Sequence, residues 1–266
     1  MSDIVVIIPM YGFSELTDKC VALTMQNAGV EVDILVVDDG SQIPYRNQDA
    51  DYVLRLDENT GFTNAINQGI LYAMRENPYL KYIHLLNNDT EPEPDFIKYL
   101  VDAMNTYKDI AIAASTKILE REPLLIENAA IDLLFGWHCF TDYHLSEEIK
   151  DITFTGFTSV LLRVDAIQEI GLLDKRMRNY CSDNDYCFRA IQNGYKVVVV
   201  PKSRVFHERE TTTRANGVQT GSDQKILFDK LSGVDIQKVL DRLPLDHTED
   251  SNRQNYGRLK LEIYEK

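Results

Sequence analysis

Tyr82-Ile83-His84-Leu85-Leu86-Asn87-Asn88-Asp89-Thr90 is an apolar run that stops abruptly in two amides and a carboxylate. The run predicts a buried strand over Tyr82 to Leu86, which leaves the polar residues at the rim of a sheet. In open α/β folds ligands bind at that rim, outside the carboxyl ends of the strands. Oxygen ligands there suit a hard divalent ion such as Mg²⁺, which commonly shares its shell with substrate phosphates. On its own the stretch also reads as a turn, because Glu91-Pro92-Glu93-Pro94 follows it. The segments on either side decide between the two.

Upstream, Ile4 to Ile8 is a β-branched run ended by Pro9, expected as a strand buried on both faces. Ser14 to Asn27 reads as a helix with Ser14 as N-cap before Glu15. Val32 to Val37 predicts a second strand that runs into the turn sequence Asp38-Asp39-Gly40-Ser41, and Tyr52 to Leu56 a short third. Thr63 to Arg75 sets Ala65, Ile66, Ile70 and Ala73 at helical spacing. Downstream, Asp95 to Tyr107 predicts a helix and Ile110 to Ala114 a strand. Residues 117 to 150 are mixed and receive no assignment. Phe154 to Arg163 reads as a loop and then an apolar segment, and Ile167 to Asp174 as a short helix ended near Gly171. Asp183 to Asn193 predicts a helix stopped by Gly194, and Lys196 to Val200 a strand ended by Pro201. Residues 208 to 221, rich in Thr, Arg, Gly and Asn, read as a mobile loop, and the chain from Ser222 on as helical. Strands alternating with helices require crossovers and a mostly parallel sheet. The expected organisation is one α/β domain over 1–220 with a C-terminal helical extension over 221–266.

The 266 residues suffice for one large domain with an appendage. The formal charge of −14, from 42 acidic against 28 basic residues, disfavours nucleic acid and anionic membrane surfaces as partners. Arg204, Arg209 and Arg214 nevertheless form a local basic cluster in sequence that suits a diphosphate. No apolar run approaches the ~18 residues of a spanning helix, and the start lacks the basic n-region of a signal peptide. A cytoplasmic protein with Cys20, Cys139, Cys181 and Cys187 as reduced thiols is the expectation, since their spacing fits neither a zinc site nor a redox pair.

Three further constellations stand out. Asp38 and Asp39 end a strand, where a carboxylate either takes hydrogen bonds from a nucleobase or ribose or merely shapes an Asp-Gly-Ser turn. Asn59-Thr60-Gly61-Phe62 precedes the helix that carries Asn64 and Asn67. Gly61 permits close approach of a ligand, and the helix N-terminus favours a phosphate; an ordinary capped loop is the plainer alternative. Ser182-Asp183-Asn184-Asp185 opens another helix, and carboxylates two apart point in different directions. One can face a pocket while the other caps or pairs with Arg189, unless both simply answer the helix dipole. Among the histidines, His84 and His138 read as structural. Trp137, the only tryptophan, is either core or a platform for a second substrate.

Taken in order, these sites resemble the family 2 glycosyltransferases of the GT-A fold. Ile4-Val5-Val6-Ile7-Ile8-Pro9-Met10-Tyr11 is similar to the family's opening strand, and Val36-Val37-Asp38-Asp39-Gly40-Ser41 to its Val-Asp-Asp-Gly-Ser block. Asn59-x-Gly61-x-x-x-Ala65-x-Asn67-x-Gly69 resembles the next block, and Leu86-Asn87-Asn88-Asp89 the Asp-x-Asp metal motif as rhamnosyltransferase-like members carry it. Phe154-Thr155-Gly156-Phe157 is similar to the loop before the acceptor site. Asp183-x-Asp185-x-x-x-Arg189, Gly194-Tyr195, Val200-Pro201 and His207 resemble the late block. The resemblance covers roughly residues 3 to 210, and its strength lies in six motifs in order. It departs from the family at Asn87, which stands for the first metal-motif carboxylate, and at Ser182, which stands for Glu.

The resemblance implies a Rossmann-like GT-A domain with a nucleotide-binding half over 1–100 and an acceptor-side half over 101–220. It implies inverting transfer of a sugar from a nucleotide diphosphate, UDP- or TDP-linked by preference, to a hydroxyl of a glycan, lipid-linked or other acceptor. Asp183 is then the catalytic base. Asp89 and His207 hold Mn²⁺ or Mg²⁺, with imidazole favouring Mn²⁺. Pro9, Tyr11, Asp39, Asn59, Gly61, Asn64 and Asn88 line the nucleotide site, and Gly156, Asp185 and Arg189 serve the acceptor or support the loop. Residues 208 to 221 become a lid. Two rivals remain at this point. A nucleotidyltransferase needs a Gly-rich basic loop after the first strand, and no basic residue occurs there before Lys19. A non-catalytic nucleotide- or sugar-binding module accommodates Asn87 but leaves Asp183 and His207 without a role.

Overall fold

The computed structural model describes residues 2–121, 124–130, 139–142, 148–207 and 221–231. Its elements in chain order are β1 (Ile4–Met10), α1 (Ser14–Asn27), β2 (Asp33–Asp38), β3 (Tyr52–Arg55), α2 (Phe62–Glu76), β4 (Tyr82–Leu86), β5 (Thr90–Pro92) and α3 (Phe96–Thr106). There follow β6 (Ile110–Arg121), β7 (Leu124–Ala130), β8 (Cys139–Asp142), β9 (Lys150–Asp151), β10 (Ser159–Arg163), α4 (Val164–Ile170), α5 (Ser182–Gln192), β11 (Lys196–His207) and α6 (Gly221–Leu231).

The described strands join one 11-stranded sheet whose main path runs β3-β2-β1-β4-β10-β6-β11-β5, with β7 beside β6, β8 beside β7 and β9 beside β11 off that path. β3, β2, β1 and β4 run parallel, β10 is inserted antiparallel between β4 and β6, and β6 and β11 are again parallel. The period-2 alternation of a strand covers both faces. Val5 and Ile7 of β1 join a core with Ile66 and Ile70 of α2, Ile167 of α4 and Tyr186 and Phe188 of α5. Ile4, Val6 and Ile8 join a second core with Val21 of α1 and Phe96 and Leu100 of α3. Helices on both faces explain why the strands are continuous apolar runs.

Prolines predict strand ends twice, and both strands run on. β1 continues through Pro9 to Met10 because its ladder with β4 ends at Ile7, so the missing N–H breaks no bond on that side. β11 continues through Pro201 to His207 because its register against β6 slips between Val200 and Arg204. Residues 201–203 bulge there and β11 changes partner, from β9 at Val198 and Val199 to β5 at Val205 to His207. Elsewhere, α1 has Phe13 at its N-cap, left-handed at φ 53 and without a side-chain cap bond, rather than Ser14. α4 begins directly after β10 and ends at Gly171, so the short helix lies nearer the N-terminus than its apolar pattern suggested.

A buried polar chain pins the bulge. Ser203 Oγ donates to Phe96 O at 2.7 Å, Ser203 and Ser115 hydroxyls lie 2.7 Å apart, as do those of Ser115 and Ser159, and His84 Nε2 is 3.2 Å from Ser159 Oγ. Each hydroxyl has one proton. With that of Ser203 given to the carbonyl, Ser115 must donate to Ser203 and Ser159 to Ser115, so His84 must donate from Nε2. The bare Nδ1 has no partner among the described residues. Burial pushes the His84 ring down to about 3, so it stays neutral. His84 is thus a structural histidine, the class expected of it from the sequence.

The turn after β2 is organised by Asp38, which is wholly buried. Its carboxylate accepts the N–H groups of Ser41 at 2.9 Å and Tyr45 at 3.0 Å and pairs with Arg55. Burial alone would raise its affinity for a proton, but the bonds from Ser41, Tyr45 and Arg55 outweigh it and hold the carboxyl below the ordinary range. A depressed carboxyl contributes stability that is present above the unfolded-state pKa and lost as pH falls through the folded one. Asp38→Asn is therefore expected to lower stability by about 1–3 kcal/mol at neutral pH. The gap to wild type should close as denaturation is followed down through the carboxylate range; a gap independent of pH would contradict the assignment.

Gly61, the N-cap of α2, has φ 90, and a Cβ there would lie 2.4 Å from Arg178 Cγ and 2.8 Å from Arg178 O. Gly61→Ala is expected to cost about 2–4 kcal/mol from backbone strain and steric overlap together. A melting temperature equal to wild type would show that the segment around Arg178 is not packed against this turn.

Candidate active site

The edge pairing of β11 with β5 sets His207 opposite Thr90 and Phe206 opposite Glu91. His207 Nε2 thereby comes 3.2 Å from Asp89 Oδ1, with the two side chains 19% and 8% exposed. The turn that carries Asp89 is held by Asn87 N–H on Thr158 O at 2.8 Å and by Thr90 Oγ1 donating to Asn87 O at 2.7 Å. The Cys20 thiol lies under the same turn, 3.5 Å from Asn87 O, and burial pushes it up to about 12, so it fills space as a neutral group.

A carboxylate oxygen and an imidazole nitrogen set side by side are a donor pair that would hold a divalent cation, which would supply positive charge at this rim. No group of three or more His, Cys, Asp or Glu side chains gathers as a metal site among the described residues. A cation held here would share Asp89 and His207 with oxygens of substrate phosphates. Asn88 does not join this rim: its side chain is buried and donates to Thr17 Oγ1 of α1 at 3.0 Å, which turns it away from a nucleotide role. Arg204 is engaged with Pro201 O at 3.1 Å and with Glu93 at 3.9 Å, whereas Arg209 and Arg214 lie outside the described residues.

Pro9 and Tyr11 stand partly exposed where β1 ends beside Asp38, and Gly12 N–H donates to Ser41 Oγ at 2.9 Å. Asp39 ties the second motif to the third. Its Oδ1 accepts Thr60 N–H at 2.8 Å and Thr60 Oγ1 at 2.7 Å, and its Oδ2 accepts Gly61 N–H at 2.8 Å. Asn64 donates to Thr60 Oγ1 at 3.0 Å, and both oxygens of Asn59 accept from Arg178 at 2.7 Å. The phosphate reading of the α2 N-terminus is overturned. Its first free N–H groups are taken by Asp39 at Gly61, by Asn179 Oδ1 at Phe62 (3.2 Å) and by Arg178 O at Thr63 (3.0 Å). Segment 178–179 caps the helix from outside, and nothing in residues 59–63 alone reveals that cover.

Asp183 is partly exposed on the first turn of α5, and its Oδ1 accepts Asn184 N–H at 2.9 Å. Burial raises its affinity for a proton, against lowering contributions from the Asn184 bond and from the Lys117 charge. Gly156 lies between these groups: a Cβ there would stand 3.4 Å from Lys117 Nζ and 3.7 Å from Asp183 Oδ2. Lys117, 5% exposed on β6, was not singled out in the sequence. Its signal is an isolated lysine within the run Ile110 to Leu119, which otherwise has no charge. Asp185 faces the other way, as the two-residue spacing predicts, and accepts from Arg189 Nε at 2.9 Å. Arg189 also donates to Ile170 O and Leu172 O, each at 2.8 Å, so the pair supports the loop. Asn67 clamps Leu173 through both its amide atoms, at 2.8 and 3.0 Å. Cys20, Cys181 and Cys187 are free and buried. Trp137, His138 and the 208–220 stretch lie outside the described residues, as do 232–266 of the expected extension, of which α6 is the described part.

No helix among the described residues is long and apolar enough to cross a membrane. The chain is 26% identical over 254 residues to the polyprenol monophosphomannose synthase of Mycolicibacterium smegmatis, a match covering 89% of this chain and 88% of that protein. It superimposes on the crystal structure of GalNAc-T7 with UDP, GalNAc and Mn²⁺ at a TM-score of 0.61 and 18% identity, over 77% of this chain. It spans 43% of that longer chain, and the likeness is one of fold. The sequence profile of Glycosyl transferase family 2 matches residues 5–171. Those residues run from β1 to the end of α4 and take in the Asp38-Asp39 turn, the Asp89 rim and the Gly156 loop, and the chain belongs to that family.

Proposed function

We propose that the chain is an inverting glycosyltransferase in which Asp183 is the general base and Asp89 and His207 mark the diphosphate end of the donor site. The observation that carries this reading is the setting of Asp183: a partly buried carboxyl with raised proton affinity, facing the Gly156 loop beside Lys117. A base tuned towards neutrality is the efficient one at physiological pH. Asp183 takes the proton of the acceptor hydroxyl as that oxygen bonds to the sugar C1, and the C1–O bond to the nucleotide breaks with its electron pair leaving on the diphosphate. Base and leaving group act on opposite faces of the sugar, so one displacement inverts the anomeric carbon. Pro9, Tyr11 and the Thr60–Gly61 turn organised by Asp39 frame the nucleotide, with a UDP- or TDP-sugar the favoured donor. A Mn²⁺ or Mg²⁺ ion on Asp89 and His207 would neutralise charge on the departing diphosphate.

Lys117 supports a second reading of the acceptor. A buried ammonium beside the reacting face suits an anionic acceptor, and the mycobacterial relative is named as a polyprenol monophosphomannose synthase. A phosphate oxygen is already ionised at neutral pH and needs no base.

Turnover of Asp183→Asn separates the two. With a hydroxyl acceptor, kcat should fall about 10²–10⁴-fold while nucleotide binding persists. The wild-type rate should fall as pH is lowered through the raised Asp183 pKa, since the base must be ionised. The stability sign is opposite to that of Asp38. A raised carboxyl is bound to its proton more tightly in the folded state, so its ionisation costs stability above the folded pKa. Asp183→Asn should melt no lower than wild type at pH 8, with any advantage vanishing at acid pH. A loss of less than tenfold, with Lys117→Met raising the acceptor KM, would instead select the phosphate acceptor.

A further inference from the structure

α6 follows the catalytic region in sequence and packs on α5 through Leu227 and Leu231, 3% and 6% exposed in the core that also holds Met177, Cys181 and Tyr186. Two polar contacts of this helix are more specific than its apolar face. Asp223, 2% exposed, points its Oδ2 at two successive backbone donors, Asn179 N–H at 2.8 Å and Tyr180 N–H at 3.0 Å. Lys230 reaches Asp174 Oδ2 at 2.9 Å and pairs with Asp185 Oδ1, whose other oxygen takes Arg189. The Asp223 bonds therefore fall four and three residues before Asp183, and the Lys230–Asp185 pair two residues after it.

The chain between them needs holding. Cys181, the N-cap of α5, is left-handed at φ 65 and supplies no side-chain cap bond. A non-glycine residue in that region is strained and persists only where its neighbours over-determine it. On one side the neighbours are the α2 N-terminus, through Arg178 O, Asn179 Oδ1 and the Thr63–Ser182 hydroxyl bond of 2.7 Å. On the other they are Asp223 and Lys230. Carboxylate bonds to backbone N–H are charge-assisted and about twice as strong as neutral ones, and a carboxylate this buried is expensive to leave without both donors.

We propose that Asp223 is a positioning residue for the reaction: α6 fixes the backbone of 179–180, and through the strained Cys181 cap it sets the aim of the Asp183 carboxylate. The inference rests on the reading of Asp183 as base. It makes the C-terminal helix part of the active-site machinery, although none of its side chains need touch substrate. Residues 178–182 then join three elements, so that closure of the nucleotide turn at Gly61 and the aim of the base are set by one segment.

The test compares Asp223→Ala, Asp223→Asn and Lys230→Met in the full chain by amide hydrogen exchange and by kinetics. Asp223→Ala should raise exchange across 179–186 at least tenfold, while kcat falls at least tenfold and the nucleotide Kd stays within threefold. Asp223→Asn keeps an oxygen acceptor and should restore most of both, as a merely structural loss would not. Lys230→Met, which retains packing, should give a smaller change of the same kind and serves if the alanine variant fails to fold. Exchange confined to 221–231, or an unchanged kcat in Asp223→Ala, would overturn the inference. A wild type inert with every nucleotide sugar would defeat the reading of Asp183, yet the exchange pattern would still decide whether α6 holds the segment.

Discussion

The slip in β11 between Val200 and Arg204 is the constraint on which the Asp89–His207 pair depends. A strand of uniform register would keep one neighbour along its length. With residues 201–203 bulged out, β11 pairs first with β9 and then with β5, and its last residue arrives beside Asp89. The bulge is not left to the backbone alone. Ser203 is anchored on Phe96 O and, through Ser115 and Ser159, on His84. A neutral, fully buried imidazole at the far end of that chain is easier to keep than a charged one, which is why burial here is compatible with a polar network.

The Asp183 end of the sheet rests on a second junction. Asp39 closes the Thr60–Gly61 turn, Arg178 and Asn179 cap α2, and the same short segment leads through the left-handed Cys181 into Asp183. The Thr60–Gly61 turn and Asp183 are hence connected by a few hydrogen bonds across the sheet's α2 face. The buried charges obey the usual asymmetry: Asp38, Asp185 and Asp223 each have donors on their oxygens. Asp183 accepts the Asn184 N–H, and its burial still raises its affinity for a proton.

Much of the architecture was legible in the sequence because it is written in apolar runs. β4 matches the expected Tyr82–Leu86 and α1 the expected Ser14–Asn27 residue for residue. The failures share a cause. β5 is three residues of turn-like composition, and only its pairing with β11 makes it a strand. Pro201 marks a strand end by local rules, and a bulge admits it. The free N–H groups of α2 suggested a phosphate until the distant Arg178 and Asn179 filled them. Lys117 sits in a strand whose fully buried neighbours give no alternation to mark an inward-facing lysine. In each case the deciding contact comes from another segment, which local pattern cannot supply.

The most direct test of the account is titration of the wild type, Asp89→Ala and His207→Ala with UDP, GDP, TDP and CMP, each with Mn²⁺ and with EDTA. The account predicts that one nucleoside diphosphate binds in the presence of the cation, and that EDTA and either substitution each weaken it at least tenfold. Equal binding with and without cation, untouched by either substitution, would show that the pair brought together by β5 and β11 is not the diphosphate end of the donor site.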